Sequence, residues 1–354
     1  MKASHALALI LALLLGACGG GGGGSTAPGG TTTPPPAPSG PVYKMFVSAN
    51  SDTVMAFTDL VPQASGATFG TVVQNKIQGA IAFDSQRDKL YAASYGDNTG
   101  QKVAVFDNAS TMKPGAPISR KIMFANLTDE ERRSSSIWAM VSDRERDRLY
   151  VVVTLYFVDY IYIFNNASTL NGLVTATKIH KFRMGVHKAL AVDTKRLVLY
   201  TVDDIGGGTG NLHATQLDEA LNVVRQGSLK SATFSSANGV AVDAERDRVF
   251  VSQGYAFSLL AVLDNASRVA ANVAGAQPMV DDSYGLKLSI GNGAATTRQM
   301  GYLSYDQKQG RMYGTWGNEV FVMEGMPSVK PFTTVAATRI IGPEGANVQH
   351  LTFQ

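Results

Sequence analysis

The chain has 354 residues, a formal net charge of +3 and a hydrophobic content of 45%. Its lysines and arginines never form a basic block, so a nucleic-acid-binding surface is not expected. Cys18 is the only cysteine, which excludes disulfides, cysteine-ligated metals and cysteine nucleophiles from the rest of the chain.

The N-terminus combines a positive charge, an apolar run and a cysteine. After Met1-Lys2, residues 6–15 (ALALILALLL) form an unbroken apolar run. This run is shorter than the roughly 20 residues of a membrane-spanning helix but matches a signal-peptide core. Residues 15–18 (LGAC) resemble the lipobox of bacterial lipoproteins. The resemblance implies removal of the signal peptide, residues 1–17, and lipid attachment to the sulfur of Cys18. An ordinary secretory signal is the alternative.

Two features follow the cysteine. Gly19 stands where the sorting rule of Gram-negative lipoproteins uses Asp for inner-membrane retention, so the resemblance implies the outer membrane, on a side that the sequence does not specify. Residues 18–41 contain a glycine run and a proline run, and beyond Cys18 no apolar side chain larger than proline. They cannot bury enough surface to offset chain entropy, so we expect a tether in front of one folded domain, residues 42–354.

The folded part contains an internal repeat. Five segments share an apolar strand that ends in Asp, a charged turn, and a second strand that opens on an aromatic residue seven positions after the Asp. The first copy reads AIAFDSQRDKLYAAS (residues 80–94). The anchor aspartates are Asp84, Asp143, Asp193, Asp243 and Asp306, and the aromatic residues are Tyr91, Tyr150, Tyr200, Phe250 and Tyr313. We expect each anchor Asp to cap its turn through an Asx-type hydrogen bond.

A second block recurs downstream as VAVFDNAST (residues 103–111), IYIFNNAST (161–169) and LAVLDNASR (260–268). It predicts a third strand followed by a polar turn, and its Asn-Ala-Ser sequons are interpreted as turn chemistry. Four short strands at a period near 50 residues are typical of a propeller blade. Residues 269–298, by contrast, predict an extended loop in the fifth internal copy.

The two ends supply a sixth blade. Residues 42–48 look like a second strand without a first, with Met45-Phe46 in the aromatic position, and residues 345–354 look like a first strand without a second. Pairing of these strands would close the ring. Residues 42–354 therefore resemble the six-bladed β-propellers of the NHL, YncE-like (YVTN-repeat) and SMP-30-like lactonase group. The resemblance implies an all-β fold, and the group includes binders, scaffolds and enzymes.

Candidate site residues follow from blade geometry. The starts of the innermost strands and the ends of the second strands meet at one channel mouth, where the offsets gather polar and aromatic side chains typical of a ligand pocket. The ligand-binding candidates are Trp138, His187, Asp203, Asp204, Asn238, Trp316 and Asn347. Other residues at these offsets are Asn50, Gln78, Tyr95, Lys188, Gln253, Tyr255, Met300 and Gln349. His187 is the one histidine assigned to the mouth, whereas His180 and His213 are expected at the surface.

Three functions stay open. The first is a membrane-anchored binding module that holds a small ligand, an envelope polymer such as a glycan, or a partner protein at the mouth. The second is a divalent-metal-dependent hydrolase of the lactonase type, with Glu344, Asp203 and Asn238 as oxygen ligands of a cation such as calcium. The third is a structural envelope protein without a small ligand. The chain lacks G-x-S-x-G and phosphate-loop signatures, which favours binding over catalysis.

Overall fold

The computed structural model describes residues 44–49, 53–57, 70–74, 77–94, 100, 102–182, 189–204, 210–234, 237–253, 260–272, 281–290, 294–295, 300–331, 333–341 and 348–353. These residues form six four-stranded blades arranged in a ring, a β-propeller. The fold class and the number of blades predicted from the repeat are confirmed. Within the described part of the chain, no helix has the length and apolarity needed to cross a membrane.

The strands follow one another blade by blade. The closing blade, blade 6, contributes β1 (Met45–Ala49), β2 (Thr53–Phe57) and β3 (Gly70–Gln74). Blade 1 contains β4 (Ile77–Asp84), β5 (Lys89–Ser94), β6 (Lys102–Asp107) and β7 (Arg120–Phe124). Helix α1 (Asp129–Ser134) precedes blade 2. Blade 2 contains β8 (Ser136–Asp143), β9 (Arg148–Leu155), β10 (Val158–Asn165) and β12 (Lys178–Lys181). The short strand β11 (Gly172–Val174) lies between β10 and β12 in the chain but is not part of the sheet of blade 2.

The second half continues this pattern. Blade 3 contains β13 (Ala189–Asp193), β14 (Val198–Asp204), β15 (Gly210–Leu217) and β16 (Val223–Ser231). Blade 4 contains β17 (Ala237–Asp243), β18 (Arg248–Gln253), β19 (Leu260–Asp264) and β20 (Tyr284–Ile290), with β21 (Ala294–Ala295) beside β20. Blade 5 contains β22 (Leu303–Asp306), β23 (Arg311–Trp316), β24 (Glu319–Met323) and β25 (Thr334–Ile341), and β26 (Val348–Phe353) completes blade 6. Short 3-10 turns lie at Ala109–Thr111, Ala167–Thr169, Ala232–Phe234, Ala266–Ala271 and Met326–Ser328.

The ring is closed by the two ends of the chain. β26 pairs antiparallel with β1, with Met45 opposite Phe353 and Ser48 opposite His350. The composite blade predicted from the sequence is therefore confirmed, with β26 as its innermost strand and Phe46 in the repeat aromatic position.

The segment 269–298, where an extended loop is predicted in the fifth internal copy, contains a strand of blade 4. Tyr284–Ile290 forms the fourth strand of blade 4 and pairs with β19. The strand was missed because it is separated from the preceding repeat block by a longer connection than in the other blades.

Six apolar clusters join each blade to the next. The repeat aromatic residue is the common element: Tyr91, for example, packs between blades 1 and 2, and Phe46 between blades 6 and 1. All six repeat aromatics are fully buried. Burial of a large apolar side chain contributes about 1.5 to 3 kcal/mol, so the aromatic position holds neighbouring blades together.

The anchor aspartates cap their turns as predicted. In blade 1, Asp84 Oδ1 accepts the backbone N–H groups of Gln86 and Arg87 at 3.0 and 3.1 Å, and Arg87 Nη1 donates to Oδ2 at 3.0 Å. The same Arg87 Nη1 donates to the carbonyl oxygen of Arg144 in blade 2 at 2.6 Å. The arginine thus links consecutive turns around the ring.

The two repeat blocks of a blade are joined by hydrogen bonds. In blade 2, Asp147, four residues after the anchor, accepts the backbone N–H and the hydroxyl of Ser168 at 2.9 and 2.7 Å. Asp88 with Ser110 and Asp247 with Ser267 repeat this pair. Asn166 of the same block has a left-handed backbone, with φ of 53°, a conformation that Asn tolerates better than most residues. The Asn-Ala-Ser sequence is therefore a structural turn in the described blades.

Candidate functional site

β-Bulges point side chains into the mouth of the channel. The register of the innermost strands shifts between Ile137 and Ala139 in blade 2, between Ala237 and Gly239 in blade 4, and across Gln349 in blade 6. Each shift leaves one residue unpaired, and bulges re-aim side chains in this way. The unpaired residues are Trp138, Asn238 and Gln349.

These residues occupy one position of the repeat, five residues before the anchor aspartate or its equivalent. In blades 1 and 5 the same position holds Gly79 and Gly301. Gly79 has a left-handed backbone, with φ of +81°, which glycine adopts at no steric cost. A Cβ at Gly79 would meet no atom closer than 3.8 Å, whereas one at Gly301 would lie 2.8 Å from Thr315 Oγ1.

A cavity of about 600 Å³ lies at this mouth. That size falls within the range of small-molecule pockets. Its lining comes from five blades and consists of Gly79, Ser136, Ile137, Trp138, Asn238, Met300, Gly301, Tyr302, Thr315, Trp316, Gly317, Val348, Gln349 and His350.

Three ligand-binding candidates therefore come together. Trp138, Asn238 and Trp316 line the cavity, as do Met300 and Gln349 at the other predicted offsets. Trp138 belongs to blade 2 and Trp316 to blade 5, which lie opposite each other in a six-bladed ring. The indole N–H of Trp138 is buried and has no hydrogen-bond acceptor among the described residues, so Trp138 contributes ring surface to the cavity and not this donor.

Asp203 has a different environment. Its carboxylate accepts hydrogen bonds from the backbone and side chain of Asn211 at 3.2 and 2.9 Å, and it contacts His213 Nε2 at 2.7 Å. Asp203 is not among the described residues that line the cavity. The His213 side chain, predicted at the surface, is 23% exposed and is therefore partly buried against this carboxylate.

His180 is also more buried than predicted. Its Nε2 lies 3.0 Å from the carbonyl oxygen of Leu221, and burial lowers the pKa of its imidazole.

Several candidates lie outside the described residues. These are Asn50, Tyr95, His187, Lys188, Tyr255, Glu344 and Asn347, together with the side chains of Gln78 and Asp204. Gln253 is described, and its side-chain amide donates to the carbonyl oxygen of Thr233.

Tyr302 and His350 were not predicted from the sequence. Their rings lie with centroids 3.5 Å apart and planes tilted by 30°, and both residues border the mouth cavity and a second cavity of about 670 Å³ on the turn side of the channel. His350 is therefore a histidine at the mouth that the sequence did not predict, while the predicted His187 lies outside the described residues. Burial lowers the pKa of His350 to about 3 and raises that of Tyr302 to about 12, so both rings are uncharged near neutral pH.

A signal for this pair exists in the repeat. The position four residues before the anchor is alanine or glycine in blades 1 to 4 but Tyr302 in blade 5 and His350 in blade 6. Small residues fit the crowded axis of the ring, so two large rings at adjacent copies narrow the channel at that level.

The predicted metal ligands do not converge among the described residues. Asn238 lines the cavity, Asp203 is bound by Asn211 and His213, and Glu344 lies outside the described part. Across that part, no group of three or more His, Cys, Asp or Glu side chains has a metal-binding arrangement. The calcium site stays a prediction.

Comparisons with known proteins show the fold. No family model and no curated protein sequence matches the chain. A chain in the crystal structure of a nidogen/laminin complex superposes with a TM-score of 0.55 at 13% identity, over 87% of this chain and 97% of that chain. A Bacteroides fragilis protein provisionally assigned as a 6-phosphogluconolactonase gives a TM-score of 0.51 at 10% identity, over 90% of this chain and 100% of that chain.

A third similar structure is the major allergen Mala s 1 of Malassezia sympodialis, with a TM-score of 0.50 at 9% identity over 74% of this chain and 78% of that chain. Such low identities show a shared β-propeller architecture and nothing finer. The subgroup suggested by the sequence resemblance stays a prediction.

Proposed function

We propose that this chain is a binding module whose propeller holds a small ligand in the mouth cavity. The observation that carries the proposal is the meeting of Trp138 and Trp316, from opposite blades, with the amides of Asn238 and Gln349 around one cavity. Ligand sites combine apolar and aromatic walls with a few convergent polar groups. The cavity also exists as open space, which favours a binder over a purely structural propeller.

The tryptophans make this proposal directly testable. The chain has two tryptophans, and both line the cavity, so intrinsic tryptophan emission reports on this site alone. We would screen the purified full chain against a library of saccharides, sugar phosphates, lactones and dipeptides. At least one compound is expected to change the emission and raise the melting temperature.

Matched variants locate the binding. Asn238→Ala is expected to weaken binding at least tenfold, the usual effect of truncating a central contact residue. Asn171→Ala is the control, because Asn171 is exposed on the outer side of the ring. Compounds that bind the wild type and Asn238→Ala equally, without changing tryptophan emission, would contradict a site at the mouth.

Membrane anchoring is a second part of the proposal. Cys18 after an apolar segment supports lipid attachment, and residues 18–41 would hold the propeller away from the membrane. More than one acyl chain gives stable membrane attachment. Cys18→Ala is expected to abolish incorporation of labelled palmitate and to move the protein to the soluble fraction, whereas Ser25→Ala should change neither. Labelling of Cys18→Ala at the wild-type level would overturn the anchor.

The lactonase hypothesis is the competing candidate, and metal analysis separates the two. A binding module is expected to contain no stoichiometric divalent cation and to keep its melting temperature in the presence of a chelator. A bound calcium or zinc ion whose removal lowers the melting temperature, together with lactone hydrolysis, would favour the hydrolase.

A further inference from the structure

We propose that the mouth cavity selects an uncharged carbohydrate, a short saccharide that stacks on indole and bonds to the two amides. This inference rests on the proposed binding function and adds the chemical class of the ligand. It is carried by the aromatic walls, the amide groups and the charge of the lining.

The aromatic walls suit a sugar ring. A pyranose presents a face of C–H groups beside a rim of hydroxyls, and an indole presents an apolar face with one N–H donor. Trp138 and Trp316 place two such indoles in the lining of the cavity, from opposite blades.

The amides suit hydroxyl groups. Asn238 and Gln349 each carry an acceptor oxygen and a two-proton donor nitrogen, and both stand at bulges that turn them toward the mouth. A hydroxyl both donates and accepts, so one amide can bond two neighbouring hydroxyls of a sugar.

The charge of the lining argues against an anion. Among the described residues that line the cavity, none is Asp, Glu, Lys or Arg. His350 adds no charge near neutral pH because burial lowers the pKa of its imidazole to about 3. Phosphate and carboxylate groups are bound most strongly by arginine and lysine, and the described part of the lining presents neither.

The test titrates the purified full chain with two sets of probes. The uncharged set is maltotriose, cellobiose and N,N′-diacetylchitobiose, and the anionic set is glucose 6-phosphate and 6-phosphogluconate. Calorimetry measures affinity while tryptophan emission reports on the cavity. At least one uncharged probe is expected to bind with a Kd below about 10 mM, and at least tenfold more tightly than either anionic probe.

Three variants show where the probe binds. Asn238→Ala should weaken binding at least tenfold, and Trp138→Phe, which keeps a ring but loses the N–H, should weaken it less. Asn171→Ala should leave affinity unchanged. Circular dichroism and melting temperature verify that each variant is folded.

The outcomes separate the two proposals. Tighter binding of an anionic probe, lost in Asn238→Ala, would overturn the carbohydrate assignment and support the binding function. Binding by none of the uncharged probes, or binding of one that survives both cavity variants, would also overturn the assignment. The library screen then tests the binding function independently of the carbohydrate assignment.

Discussion

At the residue scale, His350 shows how burial creates a pH-dependent stability. The unfolded chain protonates this imidazole near pH 6.5, whereas burial lowers the pKa in the folded protein to about 3. Tyr302, the ring stacked on it, has its pKa raised to about 12 and does not titrate in that interval. As pH falls below 6.5 the unfolded state binds a proton that the folded state does not, so stability is lost.

His350→Gln is expected to remove this loss of stability at low pH. Each pH unit below the unfolded pKa costs the wild type about 1.4 kcal/mol from this group, down to the folded pKa. The variant lacks that loss, so its free energy of unfolding should improve relative to the wild type as pH falls from about 7 to about 5. Urea unfolding at several pH values measures the difference, and parallel pH profiles for the two proteins would contradict it.

At the element scale, the blade is held by contacts between its two repeat blocks. Asp147 accepts two hydrogen bonds from Ser168, and hydrogen bonds to charged groups contribute about 1.5 to 3 kcal/mol. Asp243, the anchor aspartate of blade 4, is also held by several hydrogen bonds. Burial opposes its ionisation, but hydrogen bonds from Gln307, Tyr305 and Arg246 outweigh that effect and lower the pKa of the carboxyl.

Ser168→Ala tests the contact between the blocks. It removes the hydroxyl donor while the backbone N–H remains, so we expect a loss of about 1 to 2 kcal/mol in the free energy of unfolding. Thr169→Ala is the matched control, because the exposed Thr169 hydroxyl donates to the carbonyl oxygen of Asn166 within the same turn at 2.9 Å and makes no contact with the other repeat block in the described residues. Equal, small effects of both substitutions in chemical denaturation would show that the turn forms without this contact.

The repeat made the blades predictable because each one carries its own anchor and aromatic residue. The sixth blade was predictable too, because Phe46 occupies the aromatic position. The bulges were harder to predict from the sequence. Trp138, Asn238 and Gln349 share a repeat position but no residue type, and the shift of register depends on pairing with the second strand. Tyr302 and His350 were not predicted because their unusual size is visible only when all six copies are compared at one repeat position.

At the scale of the whole molecule, stability depends on closing the ring. Phe353 lies on β26, is buried, and has its ring centroid 4.8 Å from that of Tyr313 in blade 5. It packs in the cluster that joins blades 5 and 6. Loss of this side chain therefore weakens both the composite blade and its contact with the previous one.

Phe353→Ala is expected to destabilise the protein by about 3 to 5 kcal/mol, the usual cost of such a core truncation. Leu173→Ala is the control, because that leucine is 58% exposed on β11 and surface substitutions change stability by at most about 0.5 kcal/mol. Thermal and chemical unfolding measure both. A Phe353→Ala effect as small as that of Leu173→Ala would contradict closure by the terminal strands.

The most direct test of the binding proposal is a crystal structure of the full chain with the compound that gives the largest change in tryptophan emission. We expect electron density in the mouth cavity, in contact with Trp138, Trp316 and the amide of Asn238 or Gln349. Density in the turn-side cavity among the anchor turns, or on an outer blade edge, would contradict a binding site at the mouth.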